Sequence, residues 1–368
     1  MARRFPVIRI TEGEWTSVKF WRLLGVNIPC FFTNDPAFLA DYIANFETRL
    51  DDVFVVSYPK SGTTWVQEIV WQICNKGAIS SEKLTLRSPF LEASSSNTGQ
   101  PVLETLSSPR LIKSHLPYST IPRRANKDAQ CKYIYVARNP KDVAVSHFHF
   151  EEKMKESGNG YNGPWDFYSK LFIEGNGSLG NHDNDDSAIW QEHRVKPKDI
   201  LRMSLVLLSN QEILLRNINT QHMRITNPLT QGGVCVLVVN CLCFFCFGHW
   251  NDHVLNWWKH KDDPNVLFLK YEDLHKDLQY HVRVIADFLH KPLSDELISR
   301  IAAQCTFQGM KANEISYKIR DEQESSPWLR KGVVGGWKSY FTTELNERFQ
   351  KEVLAKLEGS GLEFDFEI

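Results

Sequence analysis

The chain has 368 residues, 42% of them hydrophobic and 24% charged, with a formal net charge of -1. That length buries one large core or two smaller ones, and the near-neutral balance excludes a generally basic nucleic-acid binder. The eight cysteines follow no disulfide-like rhythm, and the opening MARRFPVIRITEGEW lacks the uninterrupted apolar run of a secretory signal, so the cytoplasm is the expected compartment.

In chain order, the first strong signal is VFVVSYPKSGTTWVQEIVWQI, residues 53–73. Val53 to Val56 have the length and β-branching of a strand buried on both faces, as in a parallel sheet. Val66, Ile69, Val70 and Ile73 then recur at helical spacing, with Thr63 or Thr64 available as the cap. The turn between strand and helix aims backbone N–H groups and a helix N-terminus at one point, and Lys60 adds a full charge. It is built to hold an anion, although PKSGTT alone also reads as an ordinary capped helix start. The glycine–lysine order is not that of a Walker loop, which disfavours an ordinary nucleotide triphosphatase or kinase.

Further along, RLIKSHLP (110–117) reads as a short strand closing on polar residues. KYIYVARNPKDVAVSHFHF (132–150) and NVLFLKYEDLHKD (265–277) repeat the strand, polar turn, helix plan. This alternation predicts a single α/β domain, a P-loop-like parallel sheet flanked by helices, with ligands gathered at the carboxyl ends of the strands. After Ser294 the chain reads as mostly helical, broken by the glycine-rich RKGVVGGWK (330–338).

Residues 177–247 interrupt this order. The segment begins polar and ends in GGVCVLVVNCLCFFCFG, which holds Cys235, Cys241, Cys243 and Cys246. Val234 to Phe247 is too short for the roughly 20 apolar residues of a membrane-spanning helix, so no membrane partner is expected. Cys243 and Cys246 have no second ligand pair at zinc-like spacing.

Four stretches in this order, YPKSGTTW (58–65), KSHLP (113–117), RNPKDVAVS (138–146) and RKGVVGGWK (330–338), resemble the cytosolic sulfotransferases. The similarity runs from about Phe31 to the C-terminus and is broken only by 177–247. The resemblance implies one domain formed by 1–176 and 248–368, with 177–247 an atypical, poorly ordered insertion read as translated intron or a gene-model error. It implies transfer of a sulfuryl group from 3′-phosphoadenosine 5′-phosphosulfate (PAPS) to a hydroxyl or amine of a small lipophilic acceptor, a phenol or steroid, without a metal. The alternative from another class is a catalytically inactive, nucleotide-binding member of the family.

By the same resemblance, His115 is the general base, assisted by Lys60, Lys113 and Ser146. Lys60 and the amides of Ser61, Gly62, Thr63 and Thr64 take the 5′ end of the donor. Arg138, Ser146, Arg330, Lys331 and Gly332 take the 3′-phosphate. Trp65, Phe307 and Tyr271 surround the adenine, where Cys305 replaces the family's usual threonine. Phe90, Phe148 and Phe150 line the acceptor pocket, and KSYFTTELNE (338–347) resembles the family's homodimer motif.

Overall fold

The computed structural model describes residues 14–93, 102–124, 130–154, 160–174, 247–318 and 329–368, with Phe5 and the short strands Val7–Ile8 and Thr11–Glu12 before them. The chain divides into two units, Met1–Gly177 with Leu242–Ile368, and Ser178–Cys241. The second lies outside the described residues, as does all of the 177–247 segment except Phe247.

Four strands form the central sheet: β1 (Val53–Val56), β2 (Leu111–Ser114), β3 (Lys132–Ala137) and β4 (Val266–Lys270). All are parallel, in the spatial order β2-β1-β3-β4. Residue alternation along each strand feeds two separate cores. Phe54, Val56, Tyr133, Tyr135 and Ala137 pack on one face, against Trp250, Val254 and Trp257 of a later helix. Val53, Val55, Ile134 and Val136 pack on the other. There they meet Val66, Ile69, Val70 and Ile73 of helix α1 (Thr63–Cys74), the stripe expected from the sequence. Burial on both faces is why these strands read as continuous apolar runs.

Helix α2 (Pro140–Lys153) follows β3, and helix α3 (Trp250–Trp258) precedes β4. Asn139 caps α2, its side chain accepting the Asp142 N–H at 2.9 Å, and Pro140 occupies the first helical turn. At the start of β1, Asp52 and Arg110 form a buried pair with contacts of 2.7 and 2.5 Å. Arg110 also donates to the Glu47 carbonyl at 3.0 Å. The pair joins the leading ends of neighbouring strands β1 and β2. Among the described residues no helix is long and apolar enough to cross a membrane.

Replacing Asp52 by alanine leaves the Arg110 charge buried without its counter-ion. The expected loss is about 3–5 kcal/mol of unfolding free energy, measured by urea denaturation.

Candidate active site

The carboxyl ends of the strands open on a cavity of about 590 Å³. Its floor is set by register. Val56 of β1 lies opposite Ser114 of β2, so Ser57 and His115 are the next pair along. The His115 Nδ1 stands 2.8 Å from the Ser57 carbonyl oxygen, which can only accept, so Nδ1 carries the proton and Nε2 is the basic nitrogen. The His115 main chain is held from both sides. Its N–H donates to Glu92 Oε1 at 2.6 Å, and its carbonyl accepts from His253 Nε2 at 2.8 Å. Tyr135 Oη lies 2.8 Å from His253 Nδ1 and donates to it. Burial and the neighbouring Lys113 charge push the His115 imidazole well below its ordinary pKa.

The turn after β1 differs from the expectation in two respects. Neither Thr63 nor Thr64 caps α1; its N-cap is Gly62, at φ 109°, with no side-chain cap bond. Thr63 Oγ1 turns instead to Ser57 Oγ at 2.6 Å. The N–H groups of Gly62, Thr63 and Thr64 therefore have no partner among the described residues. The Ser61 N–H does not join them, because it closes the turn on the Tyr58 carbonyl at 3.2 Å. Ser61 is fully buried and its hydroxyl has no partner among the described residues.

Around this turn the charges are positive. Burial, then Lys113, Arg330, Arg138 and Lys153, push the Lys60 ammonium well below the usual lysine range. Lys113, lowered to about 8 by burial, lies over the Phe90 ring at 4.4 Å, and Lys60 lies over Phe150 at the same distance. Arg138 and Arg330 each keep a buried Nε without a partner among the described residues. Such clustering of like charge calls for a polyanion.

The carboxylate of Asp142 helps dock the glycine-rich stretch at 330–338 on α2. Asp142 accepts from the Gly335 N–H at 2.9 Å and the Trp337 N–H at 3.0 Å, and lies 3.5 Å from Arg138. Arg138 donates to the Val333 carbonyl at 2.7 Å. Behind it, Glu272 at the end of β4 accepts from the Asn139 N–H at 2.8 Å. Arg138, Ser146, Arg330, Lys331 and Gly332 all line the cavity. Gly332 has φ 63°, and a Cβ there would overlap the Phe307 ring.

Trp65, Tyr271 and Phe307 all line the cavity, with Trp65 and Tyr271 edge to face at 5.2 Å between centroids. Cys305 does not. Its thiol is fully buried in the core beneath α1, and only its carbonyl reaches this region, accepting from Trp65 Nε1 at 2.7 Å. The residue contributes to this region through its backbone carbonyl.

Of the three phenylalanines expected at the acceptor end, Phe90 and Phe150 line the cavity and Phe148 does not. Two residues on a helix differ by about 200°, so the α2 face carrying Ser146 and Phe150 turns Phe148 away. Its ring packs among Tyr161, Trp165 and Tyr168. Residues not anticipated from sequence also line the cavity: Phe32, His147, Glu151 and Phe247. Phe247 is buried, its ring 5.4 Å from His115 and its N–H on the Asn27 carbonyl at 2.7 Å. The last residue of the interrupting segment thus packs inside the first unit. Cys243 and Cys246 lie outside the described residues.

Comparison with known proteins agrees with this geometry. The model of the sulfotransferase domain matches residues 50–204 and 236–361. Sulfotransferase 1B1 of Canis lupus familiaris is 32% identical over 338 residues, covering 89% of this chain and 90% of that protein. Human sulfotransferase 1E1 is also 32% identical over 338 residues, covering 89% and 91%. Among solved structures, mouse sulfotransferase SULT7A1 complexed with PAP is 26% identical, with a TM-score of 0.59 over 92% of this chain and 93% of that one. Retinol dehydratase with retinol and PAP shares the fold at a TM-score of 0.64 and 22% identity, over 98% and 93%. With the motifs at the strand ends and a domain match over most of its length, the chain belongs to the sulfotransferase family.

Proposed function

We propose that the protein transfers a sulfuryl group from PAPS to a hydroxyl of a small lipophilic acceptor. The observation that carries this reading is one cavity lined by Lys60 beside open amides, by Arg138 and Arg330, and by aromatic rings. A nucleotide with a 5′-phosphosulfate and a 3′-phosphate has that shape and charge. The unpartnered Nε atoms of Arg138 and Arg330 fit phosphate oxygens, which arginine takes bidentately. Trp65, Tyr271 and Phe307 offer π-faces and edges to adenine.

His115 takes the proton of the acceptor hydroxyl on Nε2, since Nδ1 is committed to Ser57. Lys60 stabilises the charge that develops on the bridging oxygen as the nucleotide leaves, and Lys113 supports the transferring group. Ser146 lines the cavity with them and restrains Lys60 until the acceptor arrives. The lysines supply this stabilisation without a metal. Phe90, Phe150, Phe32 and Phe247 favour a flat apolar acceptor, a phenol or steroid alcohol.

Residues 177–247 are read as an insertion foreign to this chemistry, translated intron or a gene-model error, with the domain formed by what flanks them. The gap at 205–235 between the two matched stretches supports that reading for the middle of the segment, while the match through 177–204 and 236–247 counts against it at the two ends. Phe247 belongs with the domain, so a shortened chain should retain it; a transcript abundantly carrying the segment would sink the intron reading. The four described cysteines are free thiols, which supports a cytoplasmic protein. Lys338, Thr342 and Glu347 are exposed, which supports a homodimer through 338–347.

The test is transfer from labelled PAPS to a panel of phenols and steroid alcohols. His115→Ala should lower kcat by roughly 100-fold or more, and EDTA should leave the rate unchanged. Nucleotide binding without transfer to any of the panel would favour the inactive alternative. Because burial lowers the His115 pKa, the base is free of its proton at neutral pH. The acid limb of the rate profile should therefore fall below the ordinary imidazole value of about 6.5, and a limb above it would remove His115 as the base.

Asp142→Ala should weaken PAP binding roughly tenfold by undocking the 330–338 stretch, measured by calorimetry. Unchanged affinity would show that the stretch holds its place without it.

A further inference from the structure

Helix α2 and its C-cap residue present one stripe to the cavity, His147, Phe150, Glu151 and Met154, at the spacing of a single helix face. Phe150 and Met154 are what an apolar pocket requires. His147 and Glu151 are not, and the proposed transfer uses neither. Both are buried, at 2% and 7% exposure, and the His147 Nε2 to Glu151 Oε1 separation is 3.4 Å. Among the described residues His147 is the one side chain in polar contact with the Glu151 carboxyl. One long contact leaves most of that carboxyl's hydrogen-bonding capacity unused, and buried polar groups are costly unless bonded.

The pair is close to the reacting centre. His147 follows Ser146, its ring stands edge-on to Tyr58 at 6.4 Å, and its electrostatic reach includes Lys60 and His115. It is also uncharged. Burial and then Lys60 hold the imidazole down at about 3, while burial raises the Glu151 carboxyl to about 8. At neutral pH Glu151 can donate and accept, and nothing in the pair offers a full negative charge to a cation.

We infer that His147 and Glu151 form a polar subsite in the acceptor pocket that binds a second, uncharged hydroxyl of the acceptor, away from the one that is sulfated. The inference rests on the sulfotransferase reading and narrows its substrate class to lipophilic acceptors with two hydroxyl groups. An acceptor with a bare hydrocarbon end leaves the pair unbonded in a closed pocket. An ammonium end must first ionise Glu151 against its burial.

The experiment compares kcat/KM for para-alkylphenols whose side chain ends in methyl, hydroxyl or amine, over chains of increasing length. The wild-type protein should prefer the best hydroxyl-ended phenol to its methyl-ended match by roughly tenfold or more. Glu151→Leu should abolish that ratio, His147→Phe should reduce it, and Glu151→Gln should restore most of it, because an amide also donates and accepts. A ratio equal in wild type and Glu151→Leu overturns the subsite, as does a preference for the amine-ended series. Transfer to none of the phenols by the wild-type protein overturns the sulfotransferase reading, and the subsite with it. Transfer without preference overturns the subsite alone.

Discussion

The hydrogen bond from His115 Nδ1 to the Ser57 carbonyl joins the ends of two adjacent parallel strands, and the rest of the site is organised around it. It is a consequence of register. Once Val56 pairs with Ser114, the next residue of each strand must meet, and both chains must then turn away from the sheet. One turn becomes the start of α1 with its open amides, and the other carries His115 into the cavity just beyond Lys113 of β2. A slip of one residue would turn Lys113 and His115 to the opposite face together, so the site and the hydrophobic alternation of β2 cannot be separated.

Charge is arranged in layers behind that bond. The cations that face the cavity have buried carboxyls behind them: Glu92 acts on Lys113, and Glu272 on Arg138. Burial raises both carboxyls to about 7, although the N–H groups and cations around them pull the other way. Each also accepts a backbone N–H at a strand end, of His115 and of Asn139. Glu92 and Glu272 thus position main chain and moderate like-charge repulsion at once. Asp142 does the same for the 330–338 stretch, which arrives from nearly two hundred residues away in sequence.

Much of this was legible because parallel strands advertise themselves. Val53 to Val56 and Lys132 to Ala137 are apolar runs that end in polar turns, and the ends of such runs are where ligands collect. The errors have local causes. HFHF shows two phenylalanines of equal standing, and only the helical phase set by Ser146 separates Phe150 at the cavity from Phe148 in the core. The Ser61 amide looked available until the tightness of its turn committed it to Tyr58. Cys305 was read by its side chain, whereas the fold uses its carbonyl. Glu92, Glu272 and Asp142 were missed because nothing in an isolated acidic residue announces burial, and Phe247 because it adjoins a segment of alien composition.

Lys60 has φ 69°, in the left-handed region that costs a residue with a Cβ about 1–2 kcal/mol, and Gly62 follows at 109°. Between them these two residues curl the chain so that its amides face inward. A glycine at position 60 would relieve the strain and remove the cation, so the backbone and the chemistry ask for opposite residues at one position. Variants selected only for resistance to heat should drift toward glycine there, and selection for turnover should drive them back.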